Sequence, residues 1–337
     1  MRGIKLLDRH KLEMRDYPDP VAKGDDVVVR IEAAAICGSD LHGLYEVPGE
    51  KRWIPGHEAA GVVVAVDRPR RFKVGDRVCI TPFHTCGECD FCRSGYVAYC
   101  RAMKSVHGFT SDGFQAELAL VSESSLLPLP PGISFEDGSL ILDPVGSPYH
   151  SLRRMATNAT HTVGVFGLGP MGLGTVLIAA RLGAKVIGVD PIAYRRELAR
   201  RLGAAETIDP AGGDVVARIR ELTHGYGLDR SVECSGKAEP LHAALDLARP
   251  LSHVAIIGEN AQATIRPSEH FTSKEIFLSG SCCFPLGEYG DILRLCEGGL
   301  RVRDLITHRF PIEQAAAAYS LFAQGNTGKV LFVRSQT

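Results

Sequence analysis

The chain carries almost no excess charge. Lys plus Arg number 38 and Asp plus Glu 39 across 337 residues, for a formal net charge of −1. That balance argues against a nucleic-acid partner held by overall positive charge. Export and membrane signals are also missing. Met1-Arg2-Gly3-Ile4-Lys5 puts charge where an apolar leader core would begin, so no secretory segment is expected. One uncharged stretch, Thr162 to Ala180, is about as long as a membrane span. Gly164, Gly167, Gly169, Pro170, Gly172 and Gly174 interrupt it, and it reads better as strand, tight loop and helix start. Ten cysteines in 337 residues are too dilute for a disulfide-dense scaffold. The expectation is a cytoplasmic protein with reduced thiols and neither a membrane nor a nucleic-acid partner.

What is present is an ordinary globular composition, 45% hydrophobic and 23% charged. At roughly 100–200 residues per domain, the length suggests two domains. The first 140 or so residues read as β-rich, with strand-like runs at Asp26–Ile31, Ala60–Val66, Arg77–Ile80 and Phe114–Val121. The middle alternates. Thr162–Phe166 reads as a strand, Met171–Leu182 as a helix, Lys185–Val189 as a strand, and Tyr194–Leu202 as a helix closed by Gly203. Ser231–Glu233, His253–Ile257 and Ile276–Gly280 continue the pattern, which implies a parallel sheet with right-handed crossovers. From about Phe284 the chain returns to mixed structure and ends in the strand Lys329–Val333.

Three constellations carry chemistry. The first is Cys86-x2-Cys89-x2-Cys92-x7-Cys100, with Gly87 and Gly95 to allow tight turns. Four thiolates at this spacing close a tetrahedral site around zinc and leave no position for water, so such a metal would be structural. A disulfide pair, redox thiols or an iron–sulfur cluster are the alternatives. The second is dispersed: Cys37-Gly38-Ser39-Asp40-Leu41-His42, Gly56-His57-Glu58 and Asp143-Pro144. Thiolate, imidazole and carboxylate together suit a zinc ion with an open position, provided the fold brings them together.

The third is Gly167-Leu168-Gly169-Pro170-Met171-Gly172, which follows a predicted strand and opens a predicted helix. This is the context of a dinucleotide fingerprint, with pyrophosphate expected at the helix N-terminus. Asp190 ends the next strand, 18 residues after Gly172. A carboxylate there accepts from a ribose 2′-hydroxyl and repels a 2′-phosphate, which points to NAD. Remaining cysteines, Cys79, Cys234, Cys282, Cys283 and Cys296, read as core. His84, His107 and His150 read as structural. Tyr45, Trp53, Phe109 and Phe284 are as well explained by core as by a pocket wall.

These residues resemble the zinc-dependent medium-chain alcohol dehydrogenase family over nearly the whole chain. Cys37 to His42, Pro55-Gly56-His57-Glu58, Val74-Gly75-Asp76-Arg77-Val78, the four-cysteine lobe, the glycine loop and Gly328-Lys329-Val330 match in the family's order. Leu41-His42 and Ile306-Thr307-His308-Arg309-Phe310 are most similar to the polyol (sorbitol) and threonine dehydrogenase branch. The resemblance implies an α/β protein. A GroES-like β-barrel catalytic domain (1–148, structural zinc lobe 84–103) is followed by a Rossmann doubly wound parallel-sheet domain (149–284). The chain then returns to the catalytic domain (285–337), and the active site lies in the cleft between the two.

It also implies roles. Cys37 and His57 match ligands of a catalytic zinc, and Glu58 matches a carboxylate that binds it or stands behind it. Polyol dehydrogenases carry Glu before the proline where this chain has Asp143. Being one methylene shorter, Asp143 either binds zinc or stands back and leaves Glu58 as ligand. Ser39 and His42 match a relay that carries the substrate proton through the cofactor ribose to solvent. Gly167, Gly169, Pro170, Met171, Gly172 and Asp190 would hold NAD; Arg195 touches its adenosine half or is simply a solvated helix residue. The resulting expectation is an NAD-dependent homo-oligomer, tetramer favoured over dimer, with two zinc ions per subunit. Its substrate would be a polyol, a sugar-derived alcohol or an amino alcohol. Asp143 motivates the alternative of a simple secondary-alcohol dehydrogenase. A non-catalytic nucleotide-binding regulator is the alternative of another class, although such a protein would be expected to have lost a ligand or Ser39. A zinc-free reductase would not need Cys37, His57 and the cysteine lobe.

Overall fold

The computed structural model describes residues 1–68, 70–259 and 262–334. It divides into two compact units: Met1–Asp143 with Pro285–Cys296 and Arg301–Thr337, and Pro144–Phe284 with Glu297–Leu300. Residues 335–337, the end of the expected return segment, lie outside the described residues. The strands that matter here are β1 (Asp26–Ile36), β2 (Glu58–Val66), β3 (Arg77–Ile80), β4 (Leu118–Ser122), β5 (Leu126–Pro128), β6 (Thr162–Phe166), β7 (Lys185–Val189), β8 (Glu206–Ile208), β9 (Leu228–Glu233), β10 (Ala248–Ile256), β11 (Phe277–Gly280), β12 (Ile306–Phe310) and β13 (Lys329–Val333). Three helices accompany them: α1 (Pro170–Arg181), α2 (Ala193–Arg201) and α3 (Ala315–Ala323).

In the first unit the strand order is β12-β13-β1-β2-β3-β5, with β4 also paired to β1. Alternation explains the packing. Val27, Val29 and Ile31 point to one side of β1 and bury against Val63, Val78, Ile80, Phe114, Val121 and Leu126. Register then sets up the chemistry. Ala35 pairs with Glu58, and on the other side Ile36 pairs with Val330. Cys37 therefore leaves β1 beside the start of β2, with the start of β13 on its other flank. The expected strand from Phe114 begins only at Leu118. Phe114 and Gln115 instead donate their N–H groups to the carbonyls of Gly56 and Pro55, each at 3.0 Å. The loop before β2 thus claims these two residues, an approach that a strand pattern does not encode.

The second unit is a parallel sheet in the order β8-β7-β6-β9-β10-β11. Relabelled from its first strand this is 3-2-1-4-5-6, the doubly wound Rossmann order. Proline opens α1, where its missing N–H is no loss, and α2 ends before Gly203 at φ +111. Phe166, Ile187, Val189, Val254 and Leu245 form its core. Among the described residues no helix is long and apolar enough to cross a membrane.

The reading of five cysteines as core needs correcting. Cys79 is buried, but Cys234, Cys283 and Cys296 are only partly so and Cys282 is exposed. Cys282 and Cys283 follow β11, which is an edge strand, and Cys283 sits at φ +55. The chain turns away there instead of continuing into a covered layer.

A Cβ on Gly172 would lie 1.8 Å from the Gly167 carbonyl oxygen, whereas one on Gly169 would meet only Arg195 Nη1, at 3.8 Å. Gly172→Ala is expected to destabilise by about 2 kcal/mol or more through overpacking. Gly169→Ala should stay within about 1 kcal/mol of wild type. Chemical denaturation of the two variants checks the contrast.

Candidate metal and dinucleotide sites

The four lobe cysteines converge, with all their sulfurs within 4.8 Å of one another. Cys86–Cys92, Cys89–Cys92 and Cys86–Cys100 are 3.9, 3.6 and 3.5 Å apart. A tetrahedron with metal–sulfur bonds of about 2.3 Å has edges of about 3.8 Å, so the set fits zinc. Gly87 (φ +75) and Gly95 (φ +84) make the turns. Backbone N–H groups point at the sulfurs: Cys86 N–H at Cys100 (3.3 Å) and Cys89 N–H at Cys86 (3.4 Å). Hydrogen bonds from the backbone N–H groups of Cys92 and Arg101 pull the Cys89 thiol down to about 6, while burial pushes Cys92 up to about 12. One thiolate is therefore favoured before any metal arrives, and a dication would draw the other thiols into ionised form.

Cys37, His57, Glu58 and Asp143, more than 100 residues apart at the extremes, also present ligand atoms within 4.8 Å of one another. Cys37 Sγ lies 3.4 Å from Asp143 Oδ2. Burial drives the Cys37 thiol up. Asp143 is held low despite its burial by the neighbouring Glu58 carboxyl, by Lys329 and by His57. Ser39 Oγ is 3.5 Å from His57 Nε2. Phe109 packs its ring against His57, with centroids 5.2 Å apart, so of the four undecided aromatics this one lines the site. Tyr45 and Phe284 are buried. His42 is not part of the cluster. Its side chain is 72% exposed, and Nδ1 lies 2.7 Å from Glu46 Oε2.

Four residues around this cluster had no assigned role. Asp40 is fully buried; Oδ1 lies 3.2 Å from His57 Nδ1, and Oδ2 accepts the Cys37 N–H at 3.0 Å. This fixes His57 with Nε2 toward the cluster. Burial opposes a proton on His57, but Asp40 and Cys37 outweigh it and raise its pKa. Behind Asp40, Gln115 donates Nε2–H at 3.4 Å, and Tyr319 on α3 donates its hydroxyl to Gln115 Oε1 at 2.7 Å. Asp40 was legible only as a motif letter, and Gln115 and Tyr319 gave no signal because their partners come from distant segments.

The fourth is Lys329. It and Glu58 are each 1% exposed, with Nζ 2.5 Å from Oε1 and 3.2 Å from the Ile36 carbonyl. Burial alone would lower the lysine, but Glu58, Cys37 and Asp143 together raise it. Burial pushes Glu58 up to about 8 against the pull of that ammonium. Its other oxygen, Oε2, is buried with no hydrogen-bond partner among the described residues. An orphaned carboxylate oxygen at a thiol–imidazole–carboxylate cluster is what a cation-binding site presents.

In the second unit the glycine loop has the expected form. Gly167 is at φ +91, and a Cβ there would meet Ser235 N at 2.8 Å. The open flank of Gly169 leaves room for a phosphate at the N-terminus of α1. Asp190 is buried; Oδ2 accepts the Leu168 N–H at 2.7 Å and Oδ1 the Ile192 N–H at 2.8 Å, leaving a lone pair on each. Arg195 Nη1 lies 3.8 Å from Asp190 Oδ2, against the loop and not out in solvent.

The sequence matches the family models of the alcohol dehydrogenase GroES-like domain at residues 23–131 and of zinc-binding dehydrogenases at residues 170–298. The chain belongs to the zinc-type medium-chain alcohol dehydrogenase family. It is 34% identical to the zinc-type alcohol dehydrogenase-like protein YphC of Escherichia coli K12, with 98% of each chain covered. It is 31% identical to D-arabitol-phosphate dehydrogenase of Enterococcus avium, over 94% of this chain and 92% of that one. Among solved structures it is similar to alcohol dehydrogenase TADH from Thermus sp. ATN1, with a TM-score of 0.92, 29% identity and coverage of 99% and 100%.

Lys329→Met would leave the Glu58 carboxyl buried without its cation. The expected loss is about 3–5 kcal/mol of unfolding free energy, read by denaturation of metal-free protein. The double variant Lys329→Met/Glu58→Gln should recover most of it.

Proposed function

We propose that this protein is an NAD-dependent, zinc-dependent dehydrogenase. Its substrate is the secondary hydroxyl of a polyol, a sugar-derived alcohol or an amino alcohol. The observation that carries the reading is the convergence of Cys37, His57, Glu58 and Asp143 within 4.8 Å. The sugar-alcohol phosphate named for the Enterococcus relative supports the substrate class.

Cys37, His57 and Asp143 are the resting ligands, because Asp143 reaches the cysteine sulfur while Lys329 holds one oxygen of Glu58. Cys86, Cys89, Cys92 and Cys100 hold a second, structural zinc. Bound in the mixed set, zinc supplies Lewis acidity to an alcohol oxygen; NAD supplies the hydride acceptor. The chain's own residues manage position and protons. Asp40 fixes the His57 ring, and Phe109 walls the site. Ser39 Oγ, beside His57 Nε2, accepts the hydroxyl proton as it passes its own proton on toward His42. His42, exposed and bonded to Glu46, delivers it to solvent. In the second unit Gly167, Gly169 and Gly172 shape the pyrophosphate loop that Pro170 and Met171 open into α1, and Asp190 accepts from the ribose.

Asp143 in the ligand set favours one second reading, a simple secondary-alcohol dehydrogenase. NADH formation at 340 nm with polyols, sugar alcohols and their phosphates, threonine and simple secondary alcohols separates the two. Chelator-sensitive turnover of a polyhydroxy or amino alcohol is expected; turnover of simple alcohols alone would select the second reading. Ser39→Ala should lower kcat by about 10²-fold or more with NAD binding intact, and unchanged kcat would remove Ser39 from the relay. NAD should exceed NADP in kcat/KM by about tenfold or more, equivalent to about 1.4 kcal/mol. Asp190→Ser, which leaves Arg195 beside the ribose site, should narrow or reverse that ratio.

A further inference from the structure

Cys282 and Cys283 stand outside the chemistry above. Their sulfurs lie 3.7 Å apart, with Cys282 exposed and Cys283 half-buried. Successive side chains of an extended segment point to opposite sides, so neighbouring thiols in such a chain diverge. Here Cys283 takes φ +55, a left-handed conformation that ordinarily favours glycine. At this turn the two sulfurs face one another.

Their place in the fold gives the pair a consequence. They follow β11, outside the carboxyl end of the parallel sheet, two and three residues beyond Gly280. All strands of that sheet run the same way, so the glycine loop after β6 and Asp190 after β7 lie along the same edge. β6 is the switch point from which the order runs outward in both directions. Asp190 fixes the adenosine ribose on the β7 side. The other half of a dinucleotide then extends over β9, β10 and β11. From β6 to β11 is three strand spacings, roughly 14 Å. The thiols sit at the far end of that run.

We propose that Cys282 and Cys283 form a vicinal dithiol site that captures one thiophilic trivalent arsenical, and that its occupant excludes the nicotinamide half of the dinucleotide. The second clause rests on the cofactor reading above; the first does not. Paired soft thiolates match a soft trivalent centre. An organic arsenoxide reacts by condensation: two S–H bonds break, two As–S bonds form, and the arsenoxide oxygen leaves as water with both protons. Arsenic stays trivalent, and no oxidant or reductant is needed. Closing a disulfide would instead require the sulfurs to approach to about 2.05 Å. One arsenic atom bridges sulfurs that remain well apart.

The test uses the zinc-loaded full chain and phenylarsine oxide. Adducts are counted by intact mass for wild type, Cys282→Ser and Cys283→Ser, because the lobe cysteines and Cys37 also offer thiols. Wild type should gain one adduct more than either variant, stable to excess monothiol and removed by a dithiol. NADH should slow its formation at least tenfold, and the adduct should weaken NADH binding, followed by fluorescence, at least tenfold. Equal adduct counts in wild type and both variants would overturn the site. A wild-type adduct that leaves NADH binding unchanged would overturn the exclusion. If unmodified protein does not bind NADH, the cofactor reading fails and the exclusion with it, while the adduct count still decides the dithiol.

Discussion

The buried contact between Lys329 and Glu58 ties together residues 271 apart in sequence and sits directly behind the mixed ligand set. Its logic is charge balance. A Cys37 thiolate with ionised Asp143 and Glu58 would place three negative charges in a water-poor pocket. A divalent metal removes two of them, and the lysine ammonium removes the third. Neither cation alone would make the set neutral, and an uncompensated buried charge costs several kcal/mol. The lysine would therefore have to be in place whenever such a metal is bound, and it is placed by register: β13 enters opposite Ile36 at the end of β1. The returning C-terminal segment thus completes the electrostatics of residues near the N-terminus.

A second consequence concerns orientation. His57 could present either ring nitrogen. Asp40, placed by its acceptance of the Cys37 N–H, holds Nδ1 and leaves Nε2 for the cluster. Gln115 and Tyr319 then immobilise Asp40. The detour of Phe114–Gln115 out of the expected strand is what brings Gln115 there. The irregularity in the barrel and the support of the site are one feature.

The parts legible in the sequence are those set by local rules. The alternation of β6, α1, β7 and α2 follows apolar periodicity and glycine placement, and its boundaries fall within a residue of expectation. The lobe cysteines are close in sequence, so spacing alone suggests their convergence. Cys37, His57 and Asp143 came through resemblance, since nothing local says that segments 20 and 86 residues apart will meet. Lys329 opens the apolar run KVLFV, where a charge looks like an exposed strand end. Its burial depends on a carboxylate supplied by another strand. Cys282 and Cys283 erred the other way, because an apolar-looking run gives no sign that β11 is an edge.

The donor set also bears on exchange. In the proposed ligand set Cys37 and His57 are fixed, one at the end of β1 and one by Asp40, and Asp143 would complete three ligands. Glu58 is different: one oxygen is anchored to Lys329 while the other has no partner among the described residues. An anchored carboxylate with a spare oxygen can approach a cation or withdraw without breaking its own salt bridge. With a cation held in the proposed set, Glu58 would have an oxygen to offer or withhold. Such an adjustment would need only the Glu58 side chain and no movement of the strands.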